Sequence, residues 1–360
     1  MRGWLATAAL GFAVAVTLWV PGAAQDRAAS GSGRFAGRWT ADFRSSWKTD
    51  DGPRVQLSLR SGDGDEHLGF GVRPGDLDGL SPAARDGALA NVTFRLVREA
   101  GAFTFRGSFD DGRGSGDYTF DPDMRYTAAM AGLGYRDLPR ERQMRLAVLD
   151  VTTSFAREIR DAGQAPPALD DLIRFRIHGV TGANIRELAS LGYRQLDADT
   201  LVRLRIHGAT PERIRGFQHA GLRGLAPDDV VRLRIHGVTP EFIAGLKTRG
   251  YANLDADDLT RMRIHGVSLD GIDGLKAAGL SGLSADDLVR FRIHGVSPSF
   301  VREMRGVGFT AADEDDFVKM RIHGVNANFV GDARADGYEI RDVDDAVDLA
   351  IHGKRFRRRR

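Results

Sequence analysis

Arg292-Ile-His-Gly-Val-Ser-Pro298, RIHGVSP, is the stretch that decides how this chain folds. With its flanks it reads as a helix stop joined to a helix start. Upstream, Ser284 opens a helix whose first turn holds Asp286 and Asp287, where negative charge suits the helix dipole. Leu288, Val289, Phe291 and Ile293 are its apolar residues. Gly295 follows, and a glycine just past a helix takes the left-handed conformation cheaply and closes a Schellman motif, with Val296 touching Phe291. Ser297 is placed to cap the next helix and Pro298 to occupy its first position. Phe300, Val301 and Met304 then form an apolar stripe, and Gly308 ends it.

The stretch recurs. Its histidine stands at His178, His207, His236, His265, His294, His323 and His352, always 29 residues apart. A second glycine lies 14 residues after each of the first six, at Gly192, Gly221, Gly250, Gly279, Gly308 and Gly337. Two worn copies precede them: Gly163 follows Leu149-Asp-Val151, which replaces His-Gly-Val, and Gly134 marks an earlier one. The array therefore covers 121–353, six clear repeats with degenerate caps at both ends. Helices of roughly two to three turns are not stable alone. Stacking must supply the core, so the sequence predicts an α-solenoid of helical hairpins.

Evenly spaced histidines invite a metal or catalytic reading. Neighbouring hairpins should stand about 10 Å apart, too far for successive imidazoles to share an ion that needs each nitrogen at about 2 Å. A ring at a helix C-cap has a simpler use, meeting unpaired carbonyls. Four residues before each of the first six histidines stands an outer cation: Arg174, Arg203, Arg232, Arg261, Arg290 or Lys319. Helical spacing pairs it with an aspartate one turn earlier, as in Asp286–Arg290. Two before stands an inner arginine: Arg176, Arg205, Arg234, Arg263, Arg292 or Arg321. It falls inside the apolar arc of the helix, where an unpaired charge is costly. Two readings follow. The inner arginines cross to a neighbouring repeat, bonding an aspartate or the open carbonyls of a helix end, or they line a groove for an anionic polymer or acidic protein segment. The most variable second-helix positions, Asn184, Arg213, Phe242, Gly271, Phe300 and Phe329, are further groove candidates, or else packing variation.

The region before the array alternates with period two at Val55–Leu59, Val92–Val97 and Phe103–Arg106, with Glu99-Ala-Gly101 as a hairpin turn and the Gly-rich Asp110–Gly116 as another. The expected class is α+β, mainly α: a small antiparallel β domain at 34–120, its strand order unreadable, then the solenoid. Asp121 and Pro122 are the expected cap and first residue of the first helix. At the start, Trp4 to Val20 is an apolar run after one arginine, ending in Pro21-Gly-Ala-Ala24. That is a signal-peptide pattern over 1–24, with an uncleaved anchor as the alternative, followed by a linker over 25–33. The chain is therefore expected to be exported, periplasmic or secreted.

The chain holds no cysteine, which excludes disulfides, thiolate metal sites and cysteine nucleophiles. Net charge is +2, but the array carries 35 acids against 31 bases, which weighs against nucleic acid along its length. The basic excess sits in Lys354, Arg355, Arg357, Arg358, Arg359 and Arg360, a candidate tether to anionic surfaces such as a membrane. No His-Glu-x-x-His, Gly-x-Ser-x-Gly or P-loop occurs, and no cofactor, metal or catalytic residue is expected. An enzyme would have to use the β domain, with Asp63, Asp65 and His67 as candidates.

LSADDLVRFRIHGVSPSFVREMRGVG (283–308), with the preceding FTFRGSFDDGRGSGDYTFDPDMRY (103–126), resembles a bacterial repeat family that occurs alone or appended to membrane metallopeptidases of the BlaR1/MecR1 type. The resemblance covers about residues 90–353. The peptidase motif is missing, so peptidase activity does not carry over. The resemblance implies a module of the bacterial envelope: a non-enzymatic binding or scaffold unit, or a regulatory accessory of a membrane peptidase or sensor.

Overall fold

The structure, a computed structural model, describes residues 35–49, 52–62, 67–163 and 166–353. The leader, the linker, Asp63, Asp65 and the basic tail lie outside the described residues. The class is α+β, mainly α: one antiparallel sheet followed by a train of short helices. The chain forms two compact units that meet at Arg205 and Ile206.

The first unit begins with seven strands: β1 (Phe35–Thr49), β2 (Gly52–Ser61), β3 (His67–Val72), β4 (Leu77–Asp78), β5 (Ala90–Arg98), β6 (Gly101–Asp110) and β7 (Arg113–Pro122). Their order is β3-β2-β1-β7-β6-β5-β4, so the first and last strands pair at the centre and join two meanders. Alternation sets the faces: Val92, Phe94 and Leu96 point inward from β5 while their neighbours do not. Trp39, Phe94, Phe105 and Phe109 form the centre of that core, with Trp39 and Phe94 meeting edge to face at 5.2 Å. A short helix, α1 (Pro82–Asp86), interrupts the second meander.

The Gly-rich turn is narrower than its composition suggests. Only Asp111 and Gly112 turn, and Gly114 and Gly116 lie in β7. A Cβ on Gly116 would sit 2.0 Å from the Arg106 carbonyl oxygen, so those glycines permit close strand approach rather than a wide loop. Likewise Asp121 and Pro122 do not start the first helix. They extend the ladder opposite Ala102 and Gly101, and Asp123 is the cap, accepting from the Arg125 N–H at 2.7 Å. Composition marks a favourable cap but cannot show that two more ladder pairs outcompete it.

Helices α2 (Met124–Gly132), α3 (Arg140–Val148), α4 (Thr153–Asp161), α5 (Leu169–His178), α6 (Gly182–Ser190) and α7 (Ala198–Ile206) follow. The sheet is not a body apart from them. Gln143 on α3, buried, donates to the carbonyls of Ala100 at 2.8 Å and Asp123 at 3.0 Å. Glu99 in the β5–β6 turn accepts from the N–H of Thr153 at 2.9 Å, and the Tyr126 hydroxyl donates to the Val151 carbonyl at 2.9 Å. The degenerate repeats have thus traded the His-Gly corner for groups that fasten the array to the sheet.

The second unit continues with α8 (Pro211–His219), α9 (Pro227–Ile235), α10 (Pro240–Lys247), α11 (Ala256–Ile264), α12 (Leu269–Ala277), α13 (Ala285–His294), α14 (Pro298–Gly306), α15 (Glu314–Ile322), α16 (Ala327–Ala335) and α17 (Val343–His352). Here α9, α11, α13, α15 and α17 pack in succession as one layer, and α8, α10, α12 and α14 as the other. The corners have the expected chemistry. Gly295 has φ +71°, the Val296 N–H donates to the Phe291 carbonyl at 2.8 Å, and the Ser297 hydroxyl accepts from the Phe300 N–H at 3.1 Å. The same bond joins Val238 to Leu233, Val267 to Met262 and Val325 to Met320, each at 2.9 Å. Leu288, Val289 and Phe291 are buried, as are their counterparts in each repeat.

Candidate functional site

The repeated corner, where the first helix of each hairpin ends, gathers the histidine, the inner arginine and the isoleucine between them. Each is placed by the left-handed glycine that stops the helix.

The outer cations do not follow the i,i+4 expectation. Arg290 pairs with Asp287 one turn earlier at 3.3 Å and with Asp315 of the following repeat at 2.6 Å, not with Asp286. Asp286 is held instead by Arg261 of the preceding repeat. Arg174–Asp199 in the first unit, and Arg232–Asp257 and Lys319–Asp344 in the second, repeat this contact. The rungs are exposed, so solvent screening leaves each a small contribution to stability. They neutralise Arg174, Arg232, Arg261, Arg290 and Lys319. Helical spacing alone reports neighbours within one helix and is blind to a rung made by stacking.

The inner arginines reach the other way. Arg176 Nε donates to the Leu149 carbonyl at 3.0 Å, Arg292 Nε to His265 at 3.3 Å and Arg321 Nε to His294 at 3.4 Å. Each bridges to a helix-end carbonyl of the repeat before. The apolar arc predicts burial, yet Arg176, Arg205, Arg292 and Arg321 are exposed and Arg234 and Arg263 half-buried. They sit on the last helical turn, whose side chains run over the preceding corner rather than into the core. Arg176 also pairs with Asp150 at 3.4 Å. Among the described residues, no carboxylate forms an ion pair with Arg234, Arg263, Arg292 or Arg321.

Two of the variable second-helix positions are platforms for these arginines. Phe242 and Phe300 are buried, with Arg263 and Arg321 each 4.9 Å over the ring, and Phe155 supports Arg176 at 5.7 Å. Asn184, Arg213, Gly271 and Phe329 are half-buried. Packing, not an open groove, explains the two buried phenylalanines.

The histidines stand at the helix ends. His236, His265 and His323 are C-caps whose backbone N–H groups close the last turn. Burial, then the Arg174 charge, holds His178 below the usual imidazole range. Among the described residues, no three His, Asp or Glu side chains gather closely enough to hold a metal, and no helix is long and apolar enough to cross a membrane. His67 is exposed at the first residue of β3, and the cleft on the sheet lined by Asp42, Gln56 and Arg113 does not include it.

Two features escaped the sequence reading. Arg305 and Arg334, near the ends of second helices, repeat the carbonyl bridge: Arg305 donates to Ala278 at 2.7 Å and Arg334 to Val307 at 2.6 Å. A basic residue three before the second glycine was the available signal, since Lys247 and Lys276 occupy the same place. The other is the isoleucine before each histidine. Hydropathy puts Ile293 with the apolar residues of its helix, but Ile206, Ile235, Ile264, Ile293, Ile322 and Ile351 are 51–57% exposed. Their position on the helical wheel lies beyond the edge of the buried arc.

No protein-family model and no curated protein matches this chain.

Proposed function

We propose that the chain is a non-enzymatic binding module of the bacterial cell envelope, exported by its leader, and that the inner arginines of the repeats hold an anionic protein segment or polymer. One observation carries this reading. Rungs neutralise the outer cations Arg174, Arg232, Arg261, Arg290 and Lys319, yet Arg234, Arg263, Arg292 and Arg321 stand without a carboxylate on an exposed or half-buried corner. Regularly spaced positive charge of that kind raises the local concentration of an anionic ligand and gives its binding a salt dependence. The resemblance to envelope repeat modules supports the location. The basic tail would add attraction to an anionic surface.

Titration of poly-glutamate against the protein and its Arg263→Gln/Arg292→Gln/Arg321→Gln variant tests the reading. Binding should weaken at least about tenfold in the variant, and wild-type affinity should fall with added salt. Equal affinity for both would refute it.

A further inference from the structure

The inner arginines account for charge, not for the isoleucines beside them. Ile235, Ile264, Ile293, Ile322 and Ile351 stand at one position of five successively packed helices, all about equally exposed. A single exposed isoleucine needs no explanation, but an aliphatic row in register with a row of arginines defines a surface with two chemistries. On α9, α11, α13 and α15 the carboxylates are segregated from it; α17 differs, with Asp348 three residues before Ile351 and Ala350 in place of the arginine. The aspartate that makes each rung lies seven residues before the isoleucine, about 10 Å along the helix, and is already tied to an outer cation.

We infer that this row docks an extended acidic polypeptide carrying an aliphatic side chain at every third residue. The inference rests on the reading of the inner arginines and specifies their ligand. Packed helices stand about 8–10 Å apart. A polyproline-type chain rises about 3.1 Å per residue with three residues per turn, so residues three apart share one face at about 9.3 Å. From α9 to α15 one triplet then matches one repeat: its aliphatic group meets an isoleucine and its carboxylate the adjacent arginine. The arginines are held ready for this. Arg292 and Arg321 use Nε on a helix-end carbonyl, and Phe300 lies under the Arg321 plane, so these contacts hold the guanidinium in place while no carboxylate among the described residues takes its terminal nitrogens. A polysaccharide would match the charge but leave the isoleucines uncovered.

The test is fluorescence anisotropy of labelled peptides with the full-length protein. The probe is a peptide of repeating Glu-Leu-Pro, about 15 residues long, enough to span the five isoleucines. Its comparators are the same composition with the leucines clustered, a Glu-Ser-Pro repeat, and phosphatidylglycerol vesicles. Glu-Leu-Pro should bind at least about tenfold more tightly than Glu-Ser-Pro and the clustered peptide. In the Ile264→Ser/Ile293→Ser/Ile322→Ser variant that advantage should vanish at an unchanged urea midpoint, since the replaced side chains are exposed. Equal binding of Glu-Leu-Pro and Glu-Ser-Pro would overturn the inference while leaving the arginine reading intact. Binding of neither would sink both. Vesicle binding that exceeds peptide binding and is lost in the isoleucine variant would assign the row to lipid and also overturn it.

Discussion

Replacing the corner glycine of two repeats by alanine separates backbone strain from the arginine bridge. Gly295 and Gly324 share nearly the same left-handed conformation, φ +71° and +72°. Either alanine would place a Cβ in a region that costs an L-residue about 1 kcal/mol. The surroundings differ. Nothing lies within 4 Å of a Cβ at Gly324, whereas at Gly295 it would stand 2.9 Å from an Arg321 terminal nitrogen. Gly295→Ala must therefore also displace Arg321 from the His294 carbonyl and from the Phe300 ring. A long hydrogen bond and a partly exposed cation–ring contact together contribute about 0.5–1 kcal/mol. Gly324→Ala should cost about 1 kcal/mol and Gly295→Ala about 1.5–2 kcal/mol, read as urea midpoints at constant slope. In an Arg321→Ala background the two should become equal, which completes a double-mutant cycle. A neutral Gly324→Ala would refute the left-handed corner. A difference that survives loss of Arg321 would refute the bridge.

Three further outcomes are expected. Phe291→Ala should cost about 3–5 kcal/mol, because its ring is fully buried between hairpins, while Ile293→Ala two residues on should stay within about 0.5 kcal/mol; comparable costs would contradict the assigned faces. Asp286→Asn should cost no more than about 1 kcal/mol at low salt and almost nothing near 1 M salt, since its rung to Arg261 is exposed; a salt-independent loss would point to another role. His178, whose folded pKa lies below its unfolded value through burial and the Arg174 charge, should contribute full stability above the unfolded pKa of about 6.5 and lose it as pH falls towards the folded value. His178→Gln should remove that part of the acid slope in a urea series, and an unchanged slope would show that the ring is solvated.

The array is legible in the sequence because its signals are local and reinforce one another. A Ser or Thr cap, a glycine with no steric alternative and an apolar pair five residues apart each report on one corner, and the 29-residue period repeats the message. The pairing of Phe291 with Val296 is readable from the sequence for that reason. What stacking decides was not legible. Asp286 could have belonged to Arg290 or to Arg261, and only the packing of α11 on α13 selects the latter. Strand order failed similarly, since nothing in β1 or β7 announces that they pair across the first meander's ends. The candidate site was half visible. Recurring arginines drew notice because charge inside an apolar arc is anomalous, but the isoleucines passed as core because hydropathy does not record where an arc ends.

In-register excision of one repeat tests the central claim most directly. Removing 267–295 rejoins Gly266 to Val296 and restores His-Gly-Val, whereas removing only 267–281 strips a second helix and leaves a first-layer helix facing the wrong neighbour. If the period encodes interchangeable stacked hairpins, the longer deletion should keep the helical circular-dichroism signal per residue and a cooperative urea transition, and the shorter one should lose both. A longer deletion that unfolds as readily as the shorter would contradict the account.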